Sequence, residues 1–399
     1  MKSILVLNSG SSTLKFSLID EEAHEVLISG MAEELGTSRA CFIVKLDGEK
    51  QQIPTPNDDH TDAVRRVFDE LETRGLKESV QAIGHRVVHG AEQFTGSVII
   101  TEDVIKAVEA ATPYAPLHNP PNIIGIRAAQ KVMPDLPQVA VFDTAFHQTL
   151  PDYAYRYGVP NAWYSEHGVR RYGFHGTSYR FVAQAAAKKL GLELEDSAFV
   201  IAHLGSGASV AAVLNGQSAD TSMGFTPLEG LVMATRSGDV DPAVVPFMMK
   251  TLDKSADEIL DILNKESGLL GLAEFSSDTR DLEVAMTAGD TRAKLALEVF
   301  AFRVAKYLAA MMVSLPRVDA IIFTAGIGEN MAITRQLIMQ HLTVFGYRLD
   351  PKLNAKMIGR EGIEGVISAA DTPTVLTIKT NEELMIALDT AKLVQNLIQ

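Results

Sequence analysis

The sequence predicts an α/β fold made of two duplicated halves, and two observations carry that prediction. Short continuous apolar runs alternate with segments of helical period, the pattern of strands buried on both faces with helices between them. A Gly/Ser turn between two apolar stretches also recurs half a chain later. Leu7-Asn8-Ser9-Gly10-Ser11-Ser12 is echoed by Leu204-Gly205-Ser206-Gly207-Ala208-Ser209, which aligns Gly10 with Gly207 and Ser12 with Ser209. At 399 residues the chain is long enough for two or three domains.

Residues 4–7 form the strand that enters the first turn, and 14–19 the strand that leaves it. A helix is expected over 63–74, where Val64, Val67, Phe68 and Leu71 share a face. The run 82–88 reads as a strand. The proline-rich piece 113–121 (PYAPLHNPP) reads as a rigid loop, and 138–142 as another buried strand. In the second half the order is a helix over 178–190, strands over 199–204 and 210–214, and a hairpin turn at Asn215-Gly216. The longest apolar stretch, 295–315, contains Glu298, Arg303 and Lys306. It therefore reads as the buried part of a helix over 291–314 and not as a membrane span. A strand at 320–324 and a helix at 382–397 complete the series.

Composition narrows the function. Hydrophobic residues make up 46% and charged residues 22%, as in ordinary globular proteins, which excludes disordered, collagen-like and small disulfide-rich classes. The net charge of −14 disfavours a nucleic-acid or anionic-membrane partner, because either needs a basic face. Cys41 is the single cysteine and cannot form an intramolecular disulfide, which fits a reducing cytoplasm. The apolar run at the N-terminus is too short for a signal-peptide core.

Several motifs carry chemistry. A Gly/Ser turn exposes backbone N–H groups and hydroxyls, a cradle for phosphate oxygens, and Lys15 lies just beyond the first copy. Ala325-Gly326-Ile327-Gly328-Glu329-Asn330 follows the strand at 320–324 and enters a helical pattern, a junction suited to a nucleotide at a helix N-terminus. It is neither G-x-G-x-x-G nor a P-loop. Arg86 ends a strand between His85 and His89; on a strand those histidines stand too far apart for a zinc pair. Asp143 follows the strand at 138–142, where strand ends line ligand clefts, although an acid there also suits a cap. His175 is flanked by glycines just before a helix. Arg236 and Arg280 lie in loop-like segments, and arginine is the residue for a two-pronged grip on carboxylate or phosphate.

Taken together these motifs resemble the acetate and propionate kinase family along nearly the whole chain. The shared segments are NSGSSTLK at 8–15, GHRVVHG at 84–90, APLHNP at 115–120, FDTAFHQ at 142–148 and RYGFHGTS at 171–178. They continue with DTSMGFTPLEG at 220–230, TRSGDVDP at 235–242, KESGLLG at 265–271, GIGEN at 326–330 and TNEE at 380–383. The resemblance implies the sugar kinase, Hsp70 and actin fold, an α/β fold with ATP and the acyl group in the interdomain cleft. The expected boundaries are 1–150, joined by the C-terminal helix at about 383–399, and 151–382 as the nucleotide-binding domain.

The resemblance also implies roles. Asn8 and Glu382 match metal-holding residues for Mg²⁺, with Mn²⁺ as the alternative ion. Arg86 and Arg236 match arginines that bind acyl and phosphoryl groups, Asp143 an essential aspartate, and His175 a histidine that stabilises the transition state with Arg236. His203, Leu204, Gly205, Ser206 and Gly207 match the ATP site, as do Asp278, Thr279 and Arg280, then Gly326, Ile327, Gly328, Glu329 and Asn330; Lys15 matches a lysine on the nucleotide side. Val88, Leu117, Phe174 and Pro227 match the apolar pocket for the acyl methyl group. The implied reaction is ATP + acetate ⇌ ADP + acetyl phosphate in a cytoplasmic homodimer. The alternatives are a propionate kinase and, from another class, a non-enzymatic ATP-switched protein. Three positions depart from the family pattern: Ser206 and Ala325 and Ala91 stand where asparagine, glycine and glycine are usual.

Overall fold

The computed structural model describes residues 2–46 and 49–398. The chain divides into two compact units, Met1–Gln148 with Asn381–Gln399, and Thr149–Thr380. In the first unit, β1 (Ser3–Ser9), β2 (Leu14–Asp20), β3 (Val26–Glu33), β4 (Cys41–Leu46), β5 (Glu49–Pro54), β6 (Val80–Val87), β7 (Val98–Ile99) and β8 (Gln138–Phe142) form one sheet. Its order is β5-β4-β3-β2-β1-β6-β8-β7. In the second unit, β9 (Ala198–Leu204), β10 (Ala208–Leu214), β11 (Gln217–Thr221), β12 (Ala320–Thr324), β13 (Gly365–Val366) and β14 (Val375–Thr377) follow the order β11-β10-β9-β12-β14-β13.

The two sheets repeat one plan. β1 runs antiparallel to β2 and β2 to β3, while β6 and then β8 pair in parallel on the other side of β1. β9 runs antiparallel to β10 and β10 to β11, while β12 and then β14 pair in parallel on its other side. Each ends in a short antiparallel strand, β7 or β13. The hairpin turn expected at Asn215-Gly216 is present, with φ of 53° and 75° at its two residues.

In the first unit, side chains alternate between two cores as strand geometry requires. Leu5 and Leu7 face the helices His60–Thr73 and Asn119–Val132, whereas Ile4 and Val6 face the C-terminal helix Glu382–Ile398. The helix His60–Thr73 starts three residues before the expected 63 because Asp59 and Asp62 form a reciprocal capping box. The C-terminal helix crosses β6 at Gly84, where a Cβ would lie 2.5 Å from Thr390 Oγ1. In the second unit, the helix Thr291–Met312 buries Leu297, Phe300, Val304 and Leu308 and leaves Leu295 and Phe302 about half exposed. Among the described residues no helix is long and apolar enough to cross a membrane.

One expectation is corrected. The piece 113–121 is not all loop: a 3₁₀ turn, Thr112–Tyr114, is followed by the helix Asn119–Val132, whose first turn takes in Pro120 and Pro121. Proline is tolerated there because the first N–H groups of a helix have no intrahelical partner.

Candidate active site

The strands β1, β6 and β8 are parallel, so their carboxyl ends meet at one end of the first sheet. This is where an open α/β sheet presents ligand-binding groups. Arg86, next to last in β6, reaches Asp143, the residue after β8. Its Nε donates to Asp143 Oδ1 at 3.0 Å and its Nη2 to Oδ2 at 2.6 Å, a two-pronged ion pair. The Asp143 side chain is 3% exposed and that of Arg86 26%. Asp143 holds the Arg86 guanidinium well above its ordinary range. Burial pushes the Asp143 carboxyl up, with Arg86 pulling against it and Glu382 adding to the rise. Glu382, first in the C-terminal helix, is likewise pushed up by burial, against the pull of Arg86 and Lys15. Asn8 pairs in register with Lys15 across β1 and β2.

Arg86 is thus coupled to both Asp143 and Glu382 in the first unit, and Lys15 acts on Glu382. Two carboxyls pushed up by burial, Asp143 also by Glu382 and Glu382 also by Glu383, fit a divalent cation, whose charge would offset them. The oxygen donors of Asn8 and Glu382 suit Mg²⁺ or Mn²⁺. No cluster of three or more His, Cys, Asp or Glu among the described residues forms a metal cage. An ion that keeps its waters and binds substrate phosphates needs none.

His85 and His89 serve the fold. His85 Nε2 pairs with Gln138 Oε1 at 2.8 Å, and burial lowers its pKa to about 4. The Ala91 N–H donates to His89 Nδ1, and burial lowers His89 to about 3.

In the second unit a cavity of about 360 Å³, in the range of small-molecule sites, is lined by Gly205, Ser206, Asp278, Thr279, Arg280, Gly326, Ile327 and Asn330. Eight of the residues expected at the ATP site therefore meet around one opening. His203, Leu204, Gly328 and Glu329 lie behind its walls. Glu329 is 7% exposed and accepts the N–H groups of Ala325 at 2.8 Å and Thr380 at 3.0 Å, and burial raises its pKa. Ala325 is left-handed, with φ of 64°.

Gly207 borders the expected phosphoryl-transfer groups. A Cβ built on it would lie 3.3 Å from His175 Nε2 and 3.6 Å from Arg236 Nη1, so both converge on the face that the absent side chain leaves open. Arg236 Nη1 also donates to the Pro227 carbonyl at 3.3 Å. Of the expected acyl-pocket residues, Val88 and Leu117 belong to the first unit, and Phe174 and Pro227 to the second. Leu117 is 51% exposed, an apolar side chain left open; Val88 and Phe174 are buried.

Two arginines escaped the sequence reading. Arg360 lines the cavity and makes no ion pair among the described residues. Arg280, by contrast, is forked onto Asp278, with Nε at 3.0 Å from Oδ1. Arg335 is fully buried, and burial lowers its pKa to about 10. It donates to the carbonyls of Gly328, Asn354 and Met357, tying the glycine helix Ala325–Asn330 to the segment that carries Arg360. No motif surrounds either residue, and their roles depend on contacts distant in sequence.

Comparison with known proteins identifies the family. The model of the acetokinase family matches residues 3–388. An acetate kinase of Chromobacterium violaceum is 53% identical over 391 residues, 98% of each chain, and one of Deinococcus radiodurans is 52% identical over 390 residues, again 98% of each. Among solved structures, a propionate kinase from Francisella tularensis superposes with a TM-score of 0.94 at 43% identity, covering 98% of this chain and 100% of that one. The acetate kinase of Porphyromonas gingivalis gives 0.92 at 42%, covering 99% and 100%. On this coverage and identity the chain belongs to the acetokinase family and is a phosphotransferase whose acceptor is a carboxyl group.

Proposed function

We propose that this chain is an acetate kinase that moves the γ-phosphoryl group of ATP directly onto acetate. An acetate oxygen attacks the γ-phosphorus in line; the bond from that phosphorus to the β,γ-bridging oxygen breaks, and ADP leaves with the electron pair. The observation that carries this reading is the convergence of His175 Nε2 and Arg236 Nη1 on Gly207, beside the cavity. The transition state spreads charge over three equatorial oxygens, so positioned donors and cations supply most of the catalysis. Asn8 and Glu382 would hold Mg²⁺, which when bound would supply further charge neutralisation on the phosphates. Arg86 binds the acyl carboxylate or the transferring group, oriented by Asp143.

Asp143 is not needed as a base. Acetate titrates near pH ~4 and is already ionised at neutral pH, and the Asp143 oxygens are engaged by Arg86. A pH–rate profile tests this: an acid limb belonging to Asp143 as proton acceptor, in the direction of acetate phosphorylation, would contradict it. The activity itself is tested by trapping acetyl phosphate as the hydroxamate in a mixture of enzyme, Mg²⁺, ATP and acetate; no product would overturn the reading.

Acetate is proposed over propionate because the residue matched to the acyl pocket at 88 is valine, where a smaller residue would leave room for one more methylene. The Francisella neighbour, a propionate kinase by name, keeps the second reading in view. A methylene is worth about 1–3 kcal/mol in such a pocket. Comparison of kcat/KM for the two acids in wild type and Val88→Ala decides it, and a wild type that prefers propionate would reverse the assignment.

A cytoplasmic homodimer is proposed as well. The helix Val244–Leu252 (VVPFMMKTL) buries none of its residues, and Phe247 is 65% exposed. An apolar surface of this kind suits a second copy. Sedimentation of wild type and Phe247→Glu tests it, with a shift from dimer to monomer expected.

A further inference from the structure

We infer that Ser209 and Tyr179 are positioning residues that fix the tautomer of His175, so that the neutral ring presents Nε2–H to the phosphoryl-transfer site. The inference rests on the proposed role of His175 for its consequence, but its geometry stands apart from that role.

His175 caps the helix Gly176–Leu190 in a left-handed conformation, φ 59° and ψ 20°. A residue with a Cβ pays about 1–2 kcal/mol to sit there, so the ring must be held by its surroundings. On one side it stacks on His203, with centroids 4.1 Å apart and planes at 18°. His203 Nδ1 is in turn 2.8 Å from Ser178 Oγ, which is 2.7 Å from Thr380 Oγ1. At its edge, His175 Nδ1 lies 2.8 Å from Ser209 Oγ, and Ser209 Oγ lies 2.5 Å from the Tyr179 hydroxyl. Ser209 and Tyr179 are fully buried.

Counting protons gives the direction of this relay. Ser209 and Tyr179 each own one hydroxyl proton, and the Ser209 oxygen lies within hydrogen-bond distance of both the Tyr179 hydroxyl and His175 Nδ1. A phenol is a stronger donor and a weaker acceptor than an aliphatic alcohol, as its lower pKa shows. The Tyr179 O–H therefore donates to Ser209 Oγ, and the Ser209 O–H donates to His175 Nδ1. This order satisfies all three groups in turn. With Nδ1 accepting, the single proton of neutral imidazole must sit on Nε2. That nitrogen is the one facing Gly207, next to Arg236 Nη1. Arg236 then supplies charge at this point, and His175 a directed hydrogen bond that needs no proton uptake.

Nitrogen NMR of the full-length enzyme labelled with ¹⁵N-histidine reads the tautomer directly, with the His175 signals assigned by their loss in His175→Gln. The expected result is a pyridine-like Nδ1 and a pyrrole-like, protonated Nε2. In Ser209→Ala this pattern should average toward a mixture, and kcat should fall about 5- to 20-fold while the KM for ATP stays within about twofold, the size of one lost oriented hydrogen bond. Ser209→Thr, which restores a hydroxyl at the same position, should recover both the NMR pattern and most of kcat. Thermal unfolding of each variant separates a folding defect from these effects. A protonated Nδ1 in the wild type, or a Ser209→Ala enzyme with wild-type kcat, overturns the inference. A His175→Gln enzyme with full kcat would instead sink the catalytic reading of His175 and leave the tautomer measurement standing.

Discussion

At the carboxyl ends of β1, β6 and β8 the first unit gathers charge: Asp143 and Glu382 raise the Arg86 guanidinium, and Arg86 pulls both carboxyls down against their burial. At the matching ends of β9 and β12 the second unit carries a glycine turn, a glycine-rich helix start and backbone N–H groups, with Glu329 turned inward to hold them. The sheet plan is the same in both. The difference teaches that a duplicated scaffold fixes where functional groups emerge and leaves their chemistry open. In the proposed function one copy would serve a small carboxylate and a cation, and the other a nucleotide.

The two arginines give the sharpest way to break this comparison. Arg236 bonds to a carbonyl and a thioether sulfur, whereas Arg86 is forked onto a buried carboxylate. Arg236→Ala should therefore fold normally and lose about 10³–10⁵ in kcat, as expected for an arginine at a transferring phosphoryl group. Retention of more than about a tenth of wild-type kcat would remove Arg236 from the chemistry. Asp143→Ala should lose both activity and stability, because it strands the Arg86 charge. The stability loss should be roughly 2–3 kcal/mol, below the roughly 3–5 of a sealed pair because the Arg86 side chain is 26% exposed. Urea unfolding of the two variants side by side checks the contrast, and equal stabilities would show that Asp143 contributes nothing to the fold.

Acid should act on the first unit through His85. Its folded pKa of about 4 lies below the ordinary 6.5 of the unfolded chain. The unfolded chain therefore binds the extra proton, and the stabilisation is complete above about pH 6.5 and lost progressively as pH falls toward 4. At pH 5 the loss is about 2 kcal/mol for this group. In His85→Asn, the slope of unfolding free energy against pH across that window should be shallower by about 1.4 kcal/mol per unit. An unchanged slope would mean that His85 takes up its proton in the folded state.

The sequence was most legible where strands are buried on both faces. The central runs of β1, β6, β8, β9 and β12 and the turn at Asn215-Gly216 are local signals. The strands β3, β4 and β5 went unread because their pairing is set by neighbours distant in the chain. β5, with Glu49, Lys50, Gln51 and Gln52 exposed at the sheet edge, has no apolar run to betray it. The site divides in the same way. Glycine turns and the arginines near them can be read from spacing. The Arg86–Asp143 fork joins a residue on β6 to the one that follows β8, and Arg335 and Arg360 act through contacts that no local pattern encodes.

Ser206 sharpens the comparison within the second unit. It is exposed at the cavity, where the family pattern has asparagine. Ser206→Asn should change the KM for ATP about two- to fivefold and leave that for acetate unchanged, the scale of one hydrogen bond. Equal shifts for both substrates would place the side chain away from the nucleotide.

The smallest expected effect uses one residue from each unit. Ala91 and Ala325 stand where glycine is usual, and both adopt left-handed backbone, with φ of 51° and 64°. Alanine there costs about 1–2 kcal/mol that glycine avoids. Glycine in turn frees the unfolded chain by about 0.4–1 kcal/mol. Ala91→Gly and Ala325→Gly should therefore each stabilise the protein by about 0.5–1 kcal/mol, and the gains should add because the two lie in different units. Their functional effects should differ. The Ala91 N–H is held by His89 Nδ1, so that exchange should leave kinetics untouched. The Ala325 methyl lies 3.8 Å from the point where a Cβ on Gly205 would sit, so Ala325→Gly removes a contact behind Gly205, which lines the cavity proposed for the nucleotide. It should alter the KM for ATP by about twofold while leaving kcat near wild type. Thermal unfolding with steady-state kinetics on both variants reads all of this. Destabilisation by either exchange would mean that the alanine is not strained, and a KM for ATP that moves with Ala91→Gly but not with Ala325→Gly would reverse the division of labour between the two units.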